Sequence, residues 1–493
     1  MGRAKTSVPR ASSFETALKG LLRMRPEPEL FVQGPVMTHT FHPTILREYD
    51  IRGIVGETLS ATDAFAIGKA FGTRVRRAGG SVVCVGWDGR LSSPELAAAL
   101  VDGLTATGCT VRKVGRGPTP MLYFATKVRE ADGGIMVTGS HNPPSHNGFK
   151  LVFRGKPFFG PDIADLGRIA AAGDFEQGEG RFLDDDIREE YADRLALDYD
   201  GKRPLRVVWD CGNGAAGEIV ALLTGRLPGT HTVLFGDIDG TFPNHHPDPT
   251  EPHNLRHLQD EVLLGHADVG VAFDGDGDRI GIIDNEGSIL WGDQILVILA
   301  EDLLKSHPGA SIIADVKASK VFFDEVARMG GHPIMGRTGH SLIKTQMAET
   351  GAPLAGEMSG HIFFADRYFG FDDALYAAIR LLGIVGRWEK MTLARRKEKL
   401  PHMVNTPEMR FDCAEERKFQ VVAEVKARLV AAGARVNTID GVRVDTDDGW
   451  WLLRASNTQA VLVARCEAVS SEGLKRLRKA LEGHLSACGV ALG

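Results

Sequence analysis

No two of the six cysteines (Cys84, Cys109, Cys211, Cys413, Cys466 and Cys488) form a C-x-x-C pair. That spacing suggests neither a zinc site nor a disulfide framework, and reduced core thiols in a cytoplasm are the expectation. No apolar run reaches the roughly 18 residues that span a bilayer. An excess of positive charge is also missing. The formal net charge is −6 and the pI is near 6.3. Neither nucleic acid nor an anionic membrane would be drawn to such a surface. A charged ligand must instead be met by a few placed cations.

The first 36 residues carry basic residues and prolines but no continuous apolar segment, so they do not read as a signal peptide. They read as a loosely ordered extension, and Met37 opens a stretch that looks like a natural start. The remaining chain is long enough for about three or four domains of roughly 100–200 residues. Its composition, 43% hydrophobic and 25% charged, is that of a soluble globular protein.

From residue 45 onward, short apolar runs alternate with amphipathic stretches. "SVVCVGWDG" is a strand ending in glycine. "SSPELAAALVDGLTATG" is a helix with Ser93 expected at its N-cap and Pro94 at its first position. A second block opens at "PLRVVWDCGNGAAGEIVALL" and a third at "ASIIADVKASKVFFDEVARMGG". Three blocks of similar size suggest structural repetition in an α/β fold. The region from Leu400 differs. It reads as helix, short strands and a final helix, an α+β module.

Four polar loops interrupt these patterns. In "VTGSHNPPSHNGFK", residues 137–150, Ser140 stands beside His141, which suggests either a nucleophile with its base or a polar turn ending a strand. In "FDGDGDR", Asp274, Asp276 and Asp278 alternate with glycines. On a strand, that spacing would put the three carboxylates on one side. Carboxylates about 4 Å apart repel by roughly 4 kcal/mol per pair at intermediate screening. A divalent cation with a taste for hard oxygen, magnesium or calcium, relieves that repulsion. An EF-hand is excluded, because its positions six and twelve hold Arg279 and Asn285. An aspartyl phosphatase and a solvated acidic turn are the other readings of this loop. Arg279 can neutralise a phosphate oxygen beside the metal.

In "GEMSGH", Glu357, Ser359 and His361 alternate and could face one way. A carboxylate and a hydroxyl suit the vicinal hydroxyls of a sugar. The last loop, "RASNTQ", offers Arg454, Ser456, Asn457 and Thr458, the composition of a phosphate cradle.

The four loops, in this order and at roughly this spacing, resemble those of the α-D-phosphohexomutases, in particular the bacterial phosphomannomutase/phosphoglucomutase branch. The resemblance covers residues 41–493. "REYDIRG" and "DCGNGAAG" also look like segments of that family. It implies a four-domain architecture around a central cleft, three related α/β domains plus a C-terminal α+β domain. Beyond the extension at 1–40, these would be a phosphoserine domain (41–187), a metal domain (188–290), a sugar domain (291–399) and a phosphate domain (400–493).

The resemblance further implies that Ser140 carries a phosphoryl group and completes a magnesium site with Asp274, Asp276 and Asp278. Glu357 and Ser359 would hold the sugar. Arg454, Ser456, Asn457 and Thr458 would hold its non-reacting phosphate. Tyr49, Arg52, Lys150, Lys317, His340 and His361 fall where the family places cleft residues, with Lys150 and His361 suited to proton transfer. His146 departs from the tyrosine frequent at that position. The expected reaction moves phosphate between the 1- and 6-positions of mannose or glucose phosphates through a 1,6-bisphosphate, which also serves as activator. The resemblance also favours a monomer. Phosphoglucosamine mutase, a metal-dependent sugar phosphatase and a non-catalytic sugar-phosphate binder are the rivals.

Overall fold

The computed structural model describes residues 1–2, 37–457 and 459–491. The expected loose order of residues 1–40 therefore falls largely outside the described residues, as does the expected role of Thr458. Two compact units divide the chain, residues 1–38 and 39–493. All that follows concerns the second.

Four sheets are formed in chain order. The first runs Ile51–Ile54, His146–Phe153, Gly133–Val137, Val82–Trp87, Thr110–Arg116 and Arg181–Asp184, with Lys156–Pro157 added on His146–Phe153. The second runs Ile289–Leu290, Ile280–Asp284, Val269–Phe273, Leu205–Asp210 and Gly229–Leu234. The third runs Ile362–Phe364, Leu354–Gly356, Ser311–Asp315 and His332–Gly336.

These three sheets repeat one arrangement. Three neighbouring strands are parallel, and the chain then turns back antiparallel from one of them. Each reversal carries one of the polar loops: residues 138–145, 274–279 and 357–361. A parallel sheet gathers its ligand-binding loops at the carboxyl ends of its strands, so the repeat places the three loops equivalently. The fourth sheet is antiparallel, and its loop 456–460 joins Gly449–Ala455 to Val461–Ala468. Its module begins earlier than the expected helix, with Val404–Asn405 and Met409–Asp412 both pairing on Val461–Ala468.

The period of two in "SVVCVG" decides which core each residue joins. Val83 and Val85 pack with Phe71, Leu100 and Phe149 on one face of the first sheet. Cys84 faces the other way, into a larger core shared with Trp209, Phe273 and Leu296 of the next two units. Helix Ala374–Arg387 joins this shared core and buries residues 374–386 on all sides. A helix apolar all round belongs in an interior. All six cysteines are free thiols. Among the described residues, no helix is long and apolar enough to cross a membrane.

One local expectation is corrected here. Ser93 does not cap its helix. It lies inside the first turn, where its hydroxyl donates to Asp88 Oδ1 at 2.5 Å. Pro94 satisfies the start of the helix without a side-chain cap, because its missing N–H would have been an orphan.

Candidate active site

The acidic loop lies between Val269–Phe273 and Ile280–Asp284, and it is a turn rather than a strand. The polar loop expected between two strands is present, and the turn, not alternation along a strand, brings the three aspartates together. Gly277, at φ 73, curls the backbone, and Asp274 Oδ1 closes the curl by accepting the N–H groups of Asp278 and Arg279 at 3.1 Å each. The three side chains are fully buried, and their oxygens lie within 4.8 Å of one another.

Ser140 comes to this loop from the first sheet. Its Oγ donates to Asp274 Oδ2 at 3.2 Å, and its backbone is left-handed, at φ 51. Gly275 must be glycine here, since a Cβ would stand 2.4 Å from the Ser140 carbonyl oxygen. Lys150, on the antiparallel strand after the serine loop, donates to Asp276 Oδ2 at 2.7 Å and to Asp278 Oδ2 at 2.5 Å. Thr119 Oγ1 also donates to Asp276, at 2.5 Å.

The charges shape one another. Burial, then Asp278 and Asp276, push the Asp274 carboxyl well up. Burial works against an ionised Asp276 as well, but the Lys150 ammonium outweighs it and holds that carboxyl below the usual range. Burial likewise opposes charge on Lys150, and the three aspartates more than restore it, so its pKa is raised. As found, Lys150 is an acid rather than a base. Burial pushes His141 well below the ordinary imidazole pKa, so it is neutral beside Ser140, 3.4 Å from Oγ.

A divalent cation fits these residues. Asp276 Oδ1 and Asp278 Oδ1 are buried and find no hydrogen-bond partner among the described residues. Two orphaned carboxylate oxygens beside a third carboxylate and a hydroxyl are a hard-oxygen donor set.

Arg279 links this loop to the third sheet. Its Nε donates to His361 Nε2 at 3.1 Å, and the backbones of the two residues form an antiparallel bridge. An Nε2 that accepts leaves the proton on Nδ1, which faces Asp372 Oδ2 at 3.1 Å and Asp278 Oδ1 at 3.6 Å. Glu357, Ser359 and His361 do not share one face as expected, because residues 357–360 make a tight turn in which Gly360 N–H bonds the Glu357 carbonyl at 3.0 Å. His361 points to the acidic loop. Glu357 turns away and accepts the Gly339 N–H at 2.7 Å, and its burial raises its pKa.

The remaining expected residues form a second group. Asn457 Nδ2 donates to Tyr49 OH at 2.5 Å, and that hydroxyl donates to the Thr338 carbonyl at 3.2 Å. Arg454 Nε bonds Asp440 Oδ2 at 2.9 Å, an oxygen that also accepts the Thr338 N–H at 3.1 Å. Ser456 Oγ accepts the Gln459 N–H at 3.2 Å. Lys317 reaches Glu408 at 3.4 Å. Arg52 pairs with Asp50 and donates to Asn142 Oδ1 at 3.1 Å. His340 stacks on His361 with ring centroids 5.4 Å apart.

Comparison with known proteins follows the same division of the chain. Models of the phosphoglucomutase/phosphomannomutase alpha/beta/alpha domains I, II and III match residues 43–177, 189–287 and 291–403, and a model of the C-terminal domain matches 408–484. The phosphomannomutase/phosphoglucomutase of Pseudomonas aeruginosa is 44% identical over 453 residues, 92% of this chain and 98% of its own. The chain belongs to the phosphoglucomutase/phosphomannomutase family. A phosphoglucomutase of Neisseria meningitidis is 43% identical over 88% of this chain and 95% of its own. The crystal structure of a family member from Burkholderia thailandensis superposes with a TM-score of 0.87 at 44% identity, covering 91% of this chain and 98% of that one.

Within this member of the family, several residues of the site carry only a weak sequence signal. Asp372 takes Lys344 Nζ at 2.8 Å on one oxygen and faces both His340 (3.4 Å) and His361 (3.1 Å) with the other. Asp440, Thr119, Asp88 and Arg90 join the site from outside the four polar loops. Asp372 had one available clue, the doubled aspartate before an apolar helical run. Asp88 and Arg90 had another, the "WDGR" that ends an apolar strand.

Proposed function

We propose that the chain is a phosphomannomutase/phosphoglucomutase, interconverting the 1- and 6-phosphates of mannose, glucose or both. The observation that carries this reading is a serine hydroxyl, left-handed at its backbone, bonded directly to a buried carboxylate triad. Phosphoryl transfer needs alignment and charge neutralisation more than covalent help from the protein. A magnesium ion held by Asp274, Asp276, Asp278 and Ser140 would supply part of that neutralisation.

The side chains support the rest. Phosphorylated Ser140 gives its group to the free sugar hydroxyl: the Ser140 O–P bond breaks, a sugar O–P bond forms, and a 1,6-bisphosphate results. His361 takes the hydroxyl proton, and the Lys150 ammonium returns a proton to Ser140 Oγ as the serine leaves. Arg279, half-buried beside the acidic loop, would face the transferring group. Arg52 stands beside the serine loop. Glu357 and Ser359 would hold the 3- and 4-hydroxyls, which mannose and glucose share. Arg454, Ser456, Asn457 and Thr458, with Tyr49, Lys317 and His340, would hold the other phosphate. After half a turn the bisphosphate presents its other phosphate to Ser140, which takes it back. A trace of bisphosphate would then activate unphosphorylated enzyme. We place this activity in the cytoplasm and in a monomer, consistent with four buried free thiols.

The test is ³¹P NMR of mannose 1-phosphate and glucose 1-phosphate with magnesium and a trace of 1,6-bisphosphate. Both should become 6-phosphates. Free inorganic phosphate as the main product would make the protein a phosphatase and overturn the reading. A strong preference for glucosamine phosphate would do the same in favour of the glucosamine branch. Ser140→Ala should lose activity by roughly four orders of magnitude, and chelation of magnesium should abolish turnover reversibly.

A further inference from the structure

One buried cation in the first sheet's unit is spent almost entirely on backbone. Arg90 is 1% exposed. Its Nη2 donates to the carbonyls of Ser140 (2.7 Å) and Asn142 (2.6 Å), and its Nη1 to those of Pro143 (2.6 Å) and His146 (3.0 Å). Three of the four acceptors belong to the loop that carries Ser140, and the fourth, His146, opens the strand that leaves it. What the guanidinium holds is the loop itself.

The surroundings are built to that clamp. Arg90 Nε lies 3.2 Å from Asp88 Oδ2, the oxygen that accepts Thr138 Oγ1 (2.7 Å) and the Gly139 N–H (3.2 Å). Thr138 Oγ1 in turn accepts the Ser140 N–H at 2.8 Å. Gly139 leaves room for the guanidinium, since a Cβ there would stand 2.5 Å from it. From the second sheet's unit, the Phe242 ring covers the guanidinium at 5.2 Å, and Gly240 packs on the Arg90 backbone.

We propose that Arg90 is a positioning residue for phosphoryl transfer at Ser140, fixing the loop backbone so that the hydroxyl faces the acidic triad. The inference rests on Ser140 as the phosphoryl carrier. Three physical points carry it. A non-glycine residue in left-handed backbone is strained and persists only when its surroundings impose it. Four carbonyl oxygens gathered on one buried cation are paired with positive charge rather than left unpaired around the hydroxyl that must carry phosphate. Finally, only a planar guanidinium serves four carbonyls with two paired forks; an ammonium has three donors and no fixed plane.

The experiment compares Arg90→Met and Arg90→Lys with the wild-type enzyme. Thermal unfolding, steady-state kcat and KM for glucose 1-phosphate, and single-turnover phosphorylation of Ser140 by glucose 1,6-bisphosphate, followed by intact mass, are measured. For Arg90→Met we expect a cooperative melt, a KM within about threefold, and kcat and the Ser140 phosphorylation rate both falling about a hundredfold. Arg90→Lys should recover part of that loss. A folded Arg90→Met with near-normal kcat, or a loss confined to KM, overturns the inference. If Arg90→Met does not melt cooperatively, Arg90→Lys decides alone: a kcat loss of about tenfold or more at constant KM supports positioning, and a smaller loss refutes it. Ser140→Ala separates the two levels. Full activity in that variant would end the mutase reading itself, whereas an inactive Ser140→Ala beside an active Arg90→Met would end only this inference.

Discussion

At the scale of single residues, the candidate site depends on close approach between two units of the fold. Asp274 receives the Ser140 hydroxyl, and the next residue, Gly275, lies flush against the Ser140 carbonyl oxygen. Substituting Gly275 by alanine forces a methyl group to 2.4 Å from that oxygen, where only backbone can yield. The two loops must then part by a fraction of an ångström to an ångström. Misplacement of that size in an aligned phosphoryl transfer is expected to reduce kcat roughly a hundredfold. Steady-state kinetics on Gly275→Ala, with its melting curve as a control for folding, would show it. A normal kcat would mean that Ser140 and the acidic loop need not touch.

At the scale of elements, the recurring unit is a parallel strand, a polar loop and an antiparallel return. It appears three times, and each time the loop carries candidate chemistry. Helix Ala374–Arg387 supports these units from within, and its start is unusual. Asp373 caps it by accepting the Tyr376 N–H at 2.9 Å, while its other oxygen takes the hydroxyls of Tyr191 and Tyr368 at 2.8 Å each. Burial outweighs these bonds and pushes the carboxyl up to about 7, from an ordinary 3.8.

Between those two values the folded state binds more protons than the unfolded one, so this group's contribution to stability declines as pH rises across that window. Below it, both states are protonated and the contribution is complete. In Asp373→Asn the amide cannot ionise. The melting temperature of the variant should therefore depend less on pH between about 4 and 7 than that of wild type, as differential scanning calorimetry at several pH values can measure. Parallel pH profiles would show that Asp373 does not titrate in this range.

At the scale of the whole molecule, the fourth sheet is fastened to the third by buried arginines. Arg443 Nη1 donates to the carbonyls of Val316 and Ala318 at 2.7 Å each, and Arg465 Nη1 to that of Lys317 at 2.6 Å. Trp450 lies under Arg443, 3.7 Å from ring centre to guanidinium carbon. Three successive carbonyls of the segment bearing Lys317 are thus held by the fourth sheet. Arg443→Met would leave two of them without their donor, at an expected cost of roughly 2–4 kcal/mol. Hydrogen exchange around residues 316–320 should rise in that variant. Unchanged exchange would mean that the junction is held by other contacts.

The sequence by itself determined the three α/β blocks, the four polar loops and the net charge of −6. These rest on short-range physics: apolar alternation, glycine as punctuation, and carboxylates too close together to stay unpaired. It also misled at short range. Strand alternation would have accounted for the convergence of Asp274, Asp276 and Asp278, but in their loop it comes from Gly277 and the Asp274 cap. Glu357 and His361 alternate in the chain and part company in space for the same reason.

Only the tertiary structure decided that Lys150 sits charged between Asp276 and Asp278, that Asp372 faces both His340 and His361, and that Arg90 binds the backbone of the Ser140 loop. A local pattern cannot announce such residues. Their partners are backbone carbonyls, which every residue possesses, or side chains brought in from distant parts of the chain. What a buried charge does depends on which opposite charge or dipole the fold places within hydrogen-bond reach of it, and that distance is set by packing between sheets.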